Sequence, residues 1–522
     1  MQVKEKIKKL LEELNKGVYE RENELKLALL SSVAGESIFL LGPPGVAKSL
    51  VARKLKFAYK DAKVFEYLMS RFSTPDEIFG PVSISKLKNE DKYERIVDKY
   101  LPSSDVVFLD EIWKAGPSIQ NSLLTVINEK IFRNGGEEIK VSMKALISAS
   151  NELPAKDQGL EALWDRFLVR LVVNGIEDNE KFNKMISEKL NAYVDSVEAN
   201  DKITDDEYKK WSEEIDDIIV PENVLNVIHY IRSYINEYNE KQKDEENKIY
   251  VSDRRWRKIM RLLRTSAFLN DRTEVDLMDC FLIRHCIWNE ESQQDSVYQF
   301  VRDAIEKYGY TFDIDFQGIR EEIDEFKKDI EKETKIVKDD REEVLISNNN
   351  YYGILKLNKN DFYTRNKPTP CLISHSDYDL LTTADRRITL YYYSSLYNSI
   401  QDGGGYLVRK GKDKFHIIID NKEYKLEAKI DGSKIKKTRK AHKSVEETWD
   451  KQVSSLCETI DKWKKNLENY RSKDLEHIRN NIFVNSDLAI VVEKSILGTF
   501  DTINEIESEI KQIQKSYKDL EE

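Results

Sequence analysis

Cysteine is scarce in this chain of 522 residues: Cys280, Cys286, Cys371 and Cys457 are its only four. They lie far apart, without the close spacing of a metal site, so neither a zinc module nor a disulfide-stapled fold is expected. Reduced thiols in a cytoplasmic protein are the natural reading. Histidine is nearly as sparse. His229, His285, His375, His416, His442 and His477 include no pair at helical metal-ligand spacing and read as polar packing residues. No stretch approaches the roughly 18 consecutive apolar residues of a membrane-spanning helix. The apolar positions near the N-terminus are broken by charges, which argues against a signal peptide. An excess of positive charge is missing too: 84 Lys and Arg face 95 Asp and Glu, for a formal net charge of −11. That balance opposes a broad footprint on a phosphate backbone, so nucleic acid is not the expected partner.

What is abundant points to real cores. The hydrophobic set makes up 40% and charged residues 34%, with seven Trp along the chain, which excludes disorder as the general state. At roughly 100–200 residues per domain, this length implies three or four modules.

The first helix is signalled by Ile7, Leu10, Leu11 and Leu14 on one face, with Gly17 as a stop. An amphipathic helix over 21–34 leads into Ser37-Ile38-Phe39-Leu40-Leu41, a buried-strand signal. A second apolar run, Val106-Val107-Phe108-Leu109, ends in Asp110-Glu111, and a third, Ala145 to Ser150, ends at Asn151. Helical patterns alternate with these strands, which predicts a parallel α/β sheet. Asn134-Gly135-Gly136, between Lys130-Ile131-Phe132 and Ile139-Lys140-Val141, predicts a β-hairpin.

From 179 to 307 the pattern is helical, with Val224, Val227, Ile228, Ile231 and Ile235 on one face, as in a lid domain. Three apolar seams follow. Ile319, Ile323, Phe326 and Ile330 form one. Trp449, Val453, Leu456, Ile460, Trp463, Leu467 and Tyr470 form the next, and Ile503, Ile506, Ile510, Ile513, Tyr517 and Leu520 the last, all at heptad spacing. They suit a three-helix stalk within one chain, with dimerisation as the alternative. Between the first two seams, 347–430 is rich in Tyr, Ile, Leu and Thr and punctuated by Gly403-Gly404-Gly405 and Asp420-Asn421, which predicts a small β-rich module. The expected division is therefore 1–178, a nucleotide-binding α/β part; 179–307, the lid; 308–346 with 431–522, the helical stalk; and 347–430, a partner-binding β module.

The chemistry concentrates behind the first strand. Gly42, Pro43, Pro44, Gly45, Val46 and Ala47 shape a loop whose backbone N–H groups can face a phosphate, helped by the positive end of the following helix. Lys48 is placed for the β- and γ-phosphates of ATP, and the Ser49 hydroxyl for Mg2+. Ala47 stands where glycine is usual, which the loop tolerates if its φ is negative. Asp110 is placed to hold the magnesium through water, Glu111 to polarise the attacking water, and Asn151 to position it.

The segments Gly42 to Ser49, Arg71 to Pro81, Leu109 to Pro117 and Ala149 to Pro154 resemble the MoxR family of AAA+ ATPases, and within it the regulatory-ATPase (RavA) branch. The likeness runs nearly unbroken over 17–170 and returns at Val251-Ser252-Asp253-Arg254-Arg255-Trp256. It implies a P-loop AAA+ fold with a helical lid, assembled into a ring, commonly hexameric, with ATP between neighbours. It also implies that Arg166, in Asp165-Arg166-Phe167, serves the next subunit's site as an arginine finger, with Arg170 as the competing candidate. Arg254 becomes the lid's sensor, with Arg255 as its alternative; whether it acts on its own subunit's ATP stays open. Tyr19, with Glu20 and Arg21, falls at the adenine pocket. The insertion over 75–93 and the 130–141 hairpin match segments that face the pore or upper surface in relatives; Arg133 on the hairpin offers a grip on a substrate, with a purely structural hairpin as the alternative.

The resemblance implies a von Willebrand factor A-domain protein as partner and a further protein docked on the β module. Lysine decarboxylase, a partner known in that branch, is not carried over, because the two β modules share little sequence. The reading that follows is an ATPase remodelling or assembling protein partners, against two alternatives: a nucleic-acid-translocating motor and a nucleotide-gated adaptor. Lys434, Lys436, Lys437, Arg439, Lys440 and Lys443 are the local basic stretch that could meet nucleic acid or an anionic lipid surface; a solvated linker is the simpler reading.

Overall fold

The computed structural model describes residues 2–155, 159–188, 193–311, 314–338, 342–360, 368–394, 397–431 and 435–520. The chain divides into two compact units, Met1–Gly318 with Cys457–Ser508 and Ile319–Leu456 with Glu509–Glu522. The division falls inside three long helices, Phe316–Thr334, Lys443–Ile478 and Ala489–Lys518, and so cuts the chain differently from the sequence-based modules.

In the first unit, β1 (Ser37–Leu41), β2 (Val64–Leu68), β3 (Val106–Asp110), β6 (Ala145–Ser150) and β7 (Phe167–Val172) form one sheet of order β2-β3-β6-β1-β7, parallel throughout. The hairpin strands β4 (Ile131–Asn134) and β5 (Glu137–Lys140) stand outside it. Every residue of β1 and β6 is buried, as helices on both sheet faces require of parallel strands. Sequence patterning identifies β1, β3 and β6 but not β2 or β7. β2 lies at the sheet edge with alternating exposure, and β7 carries Arg170 inside its apolar run. The hairpin turns at Gly135 (φ 62°) and Gly136 (φ 93°), the left-handed pair a two-residue turn needs.

The segment after the sheet is helical, as expected: Asn179–Ser187, Asp205–Asp216, Glu222–Lys241, Asp253–Leu269 and Gln294–Tyr308. Helix Asp253–Leu269 is tied back to the sheet side by Lys258 to Glu36 (2.6 Å) and by Arg261 Nε to the Ala34 carbonyl (3.0 Å). The turn between the two longest helices docks onto this helical part through buried polar groups. Asn270 Oδ1 accepts from the Ile482 N–H (3.0 Å), and Asn481 Nδ2 donates to Asp279 (2.9 Å). The fully buried Asp279 also accepts from Ser266 Oγ (2.6 Å) and Arg272 Nη2 (2.8 Å).

In the second unit, Ile319, Ile323, Phe326, Ile330, Trp449, Val453, Leu456, Ile510, Ile513 and Tyr517 are buried as the heptad spacing predicts. Phe326, Trp449 and Tyr517, one from each long helix, meet with ring centroids 5.2–6.4 Å apart. Two antiparallel ribbons follow: β8 (Lys335–Lys338) pairs with β18 (Ile435–Thr438), and β9 (Glu342–Leu345) with β17 (Ala428–Asp431). This corrects two expectations. The stretch 335–345 is not helical, and Lys436 and Lys437 lie in a paired strand instead of a solvated linker. Lys434 lies outside the described residues. The alternation Lys335-Ile336-Val337-Lys338, opposite Ile435, has the β-branched content of a strand, which its charges masked.

Seven antiparallel strands come next in sequence order: β10 (Ser347–Asn348), β11 (Tyr351–Asn360), β12 (Pro368–Ser374), β13 (Arg386–Ser394), β14 (Ser399–Lys410), β15 (His416–Ile419) and β16 (Lys422–Lys425). The chain past β16 returns to β11 through an Ile354–Leu426 bridge and a hydrogen bond from Glu427 N–H to the Gly353 carbonyl (2.8 Å). The β module is therefore a closed meander, with Ile354, Ile373, Leu390, Val408, Ile417 and Leu426 as its core. Asp420 (φ 46°) and Asn421 (φ 67°) make the turn their sequence signalled.

Among the described residues no helix is long and apolar enough to cross a membrane, and no cluster of His, Cys, Asp and Glu could hold a metal ion. Asp279→Ala leaves Ser266 and Asn481 without their acceptor and Arg272 short of one carboxylate. It is expected to cost about 3–5 kcal/mol, read by chemical denaturation, with Asp279→Asn costing less.

Candidate nucleotide site

The parallel register sets the site. Leu41 pairs with Ser150 and Asp110 with Ala149, so the ends of β1, β3 and β6 deliver Gly42, Glu111 and Asn151 to one sheet edge. Ligands of open α/β sheets bind at this carboxyl edge. Gly42 is obligatory: its N–H donates to the Ser150 carbonyl (3.1 Å), and a Cβ there would lie 2.2 Å from the Val173 carbonyl oxygen. Gly45 (φ 87°) and Ala47 (φ 63°, ψ 29°) are left-handed. Ala47 thus lacks the negative φ that would have made its replacement of glycine neutral; a left-handed L-residue costs roughly 1–2 kcal/mol. Pro43 and Pro44 are exposed, and Val46 accepts a hydrogen bond on its carbonyl from Arg21 Nε (3.0 Å), which braces the loop from outside.

Lys48 opens the helix Lys48–Leu55, and its ammonium is turned into the loop. It donates to the carbonyls of Gly42 and Pro43 (3.0 Å to the latter) and to Asn151 Oδ1 (3.3 Å). Burial pushes the Lys48 amine below its ordinary value, opposed by the charges of Asp110 and Glu111. Asp110 moves the other way: burial raises its carboxyl, against a hydrogen bond from the Glu111 N–H (3.0 Å) and the charge of Lys48. Glu111 sits at φ 52° and pairs with Lys114 (3.1 Å). Ser49, half exposed in the first helical turn, stands beside Lys48. Lys48, Asp110, Glu111 and Asn151 are thus brought together from three strand ends, and the set can bind a polyphosphate, hold a cation and orient water.

Beside the loop a cavity of about 500 Å³ is walled by Val18, Tyr19, Arg21, Ala47, Leu50 and Phe182, with Met185 from the same helix as Phe182. Tyr19 donates its hydroxyl to Glu188. Glu20 accepts from the Glu177 and Asp178 N–H groups (2.9 Å each), which clamps the N-terminal loop to the start of helix Asn179–Ser187 and holds its carboxyl low. This helix forms one wall, a contribution that sequence reading missed; Phe182 and Met185, apolar and 44% and 42% exposed, were the available signal.

The arginines form a second cluster. Arg170 is fully buried: it donates to the carbonyls of Phe167 (3.1 Å), Trp164 (2.9 Å) and Trp288 and to Asn289 Oδ1 (2.8 Å), with its guanidinium 3.7 Å from the Trp164 ring. It is a structural keystone, unable to reach another chain, which removes it as the alternative to Arg166. Arg255 is also buried and forms an ion pair with Asp165 (3.0 Å), while its Nε has no acceptor. Arg166 lies 3.6 Å from the other Asp165 oxygen, with a buried Nε that has no acceptor, and burial followed by the charge of Arg254 lowers its pKa. Arg254 is exposed. No described contact joins Arg166 or Arg254 to Lys48. Asp165 is the hub that faces both Arg166 and Arg255.

Two substitutions test the loop. Ala47→Gly relieves the left-handed strain and is expected to raise stability by about 0.5–1 kcal/mol in thermal melts while nucleotide binding persists. Gly42→Ala should abolish nucleotide binding, because its Cβ has no room without displacing the loop.

A family model described as the MoxR domain of MoxR–vWA–β-propeller ternary systems matches residues 5–213, and an AAA lid domain matches residues 223–301. Among curated relatives, an uncharacterized protein of Methanocaldococcus jannaschii is 38% identical over 307 residues, 59% of this chain and 76% of that protein. A second uncharacterized protein of that archaeon is 37% identical over 288 residues, 55% of this chain and 72% of its own length. The Holliday junction branch migration complex subunit RuvB of Mycoplasma genitalium is 26% identical over 171 residues, 31% of this chain and 49% of that protein. With the phosphate loop, acid pair and lid in this order, the chain belongs to the MoxR family of AAA+ ATPases.

Proposed function

We propose that the chain hydrolyses ATP to ADP and phosphate and uses the cycle to remodel or assemble protein partners. The convergence of Lys48, Asp110, Glu111 and Asn151 on one sheet edge carries this reading. Lys48 exchanges its loop carbonyls for the β- and γ-phosphates, and the loop N–H groups receive the remaining oxygens. Ser49 and Asp110 are the residues that would hold Mg2+, which when bound neutralises phosphate charge. Glu111 takes the proton of the attacking water, and Asn151 orients that water. Arg166 completes the site of a neighbouring subunit in a ring, hexameric by analogy with the family, and Arg254 senses the γ-phosphate from the lid. The buried Arg166 Nε without an acceptor supports a role beyond its contact with Asp165.

A von Willebrand factor A-domain partner is supported by the description of the matching family model. The RavA-like arrangement is completed by the three helices acting as a stalk and the closed β meander as the docking module for a further protein. The nucleic-acid motor remains the second reading on the RuvB likeness, and the net charge of −11 stands against it. ATPase activity unmoved by DNA or RNA would end that reading.

Glu111→Gln is expected to cut turnover by about 10²–10⁴-fold while retaining ATP. Arg166→Ala should also lose turnover, by roughly 10³-fold or more, and mixing it with Glu111→Gln chains should restore part of the rate. Absence of restoration, with both variants folded, would mean that each site is complete in one chain.

A further inference from the structure

A second cavity of about 610 Å³ in the first unit lies away from the phosphate loop. Its walls come from three places: Lys8, Glu22 and Lys26 on the two N-terminal helices, Arg284 on the helical part, and Arg479 with its neighbours in the turn between the long helices. The volume falls within the roughly 300–1,000 Å³ of small-molecule sites.

Charge distinguishes it. Four cations and one carboxylate line the cavity of a chain whose net charge is −11. Arg479 is spoken for by Glu493 (2.7 Å), and Glu22 also faces Lys181 (4.0 Å). Lys8, Lys26 and Arg284 have no ion-pair partner among the described residues. Lys26 is half-buried, and burial lowers its amine, opposed only by Glu22. Arg284, also half-buried, is held by His285 Nε2 (3.0 Å) and stands 5.3 Å from the Tyr298 ring, neither of which neutralises it. Keeping Arg284 and Lys26 partly desolvated with one carboxylate, Glu22, among four cations is unfavourable, and an anion entering the cavity reduces the penalty. Phe281, Phe483 and Val484 supply an apolar wall beside the charges.

We propose that this cavity is a second anion site, which binds a polyphosphate-bearing small molecule, foremost a nucleoside polyphosphate, through Lys8, Lys26 and Arg284, its base lying against the apolar wall. Its occupant touches the N-terminal helices, the lid segment and the inter-helix turn at once, and that turn is already fixed to the lid through Asn481 and Asp279. Binding there therefore restrains the lid relative to the sheet and modulates turnover at the phosphate loop.

The test uses the full chain carrying Lys48→Ala, which disables the phosphate loop, titrated calorimetrically with ATP, ADP, inorganic tripolyphosphate and adenosine. One remaining site per chain for the phosphorylated ligands, and none for adenosine, is expected. ATP binding more tightly than tripolyphosphate identifies a nucleotide site; equal affinity identifies recognition of phosphate alone. Adding Lys26→Glu or the surface change Lys8→Glu should weaken binding by about ten- to hundred-fold, with the melting temperature unchanged for Lys8→Glu. If the Lys48→Ala chain binds none of the ligands, or binds them equally with both further substitutions, the proposal fails. Failure of the ATPase reading would show separately, as absence of turnover in the wild-type chain.

Discussion

The nucleotide site depends on a constraint of the parallel sheet: neighbouring strands must end together. β1, β3 and β6 are buried nearly end to end, so their polar termini can gather only at the sheet's open edge, where Gly42, Asp110, Glu111 and Asn151 emerge. Gly42 shows how tight that edge is, since the Val173 carbonyl occupies the space any side chain would need. The Lys48 ammonium is held against loop carbonyls and the Asn151 amide, partners that a phosphate can replace with stronger charge-assisted contacts.

A second constraint comes from buried arginine. Arg170 and Arg255 are both out of solvent, and each joins the region before and within β7 to the helical part, the first through Trp288 and Asn289 and the second through Asp165. Asp165 is adjacent to Arg166, so a displacement of helix Asp253–Leu269 is felt at the residue proposed to serve a neighbouring site. This gives a physical path from lid position to Arg166 without any long-range assumption: the Asp165 carboxylate is shared by the Arg255 guanidinium of the lid and by Arg166.

The second unit is organised by simpler means. Apolar heptads bury the helical seams around Phe326, Trp449 and Tyr517, and the Trp449 N–H and Tyr517 hydroxyl donate to Asp329 and Asp450. Paired ribbons then lead into a meander that closes on itself, which leaves β11 without a free edge along part of its length.

Local sequence by itself marked the candidate loop Gly42 to Ser49, the acid pair and Asn151, and determined the two-residue turns at Gly135-Gly136 and Asp420-Asn421 and the buried heptad seams, because each is encoded by residues close together whose chemistry admits few alternatives. It did not reveal β2, whose edge position blurs its pattern, nor the ribbon strands, whose lysines and glutamates resemble a linker. Nor could it separate Arg166 from Arg170 or Arg254 from Arg255. Only the tertiary structure decided that Arg170 and Arg255 are buried structural groups, that Ala47 is left-handed, and that Phe182 and Met185 wall the adjacent cavity. The reason is physical: an arginine's burial and partners are set by segments more than thirty to a hundred residues away, such as Asn289 for both Arg170 and Arg255, and no local pattern carries that information.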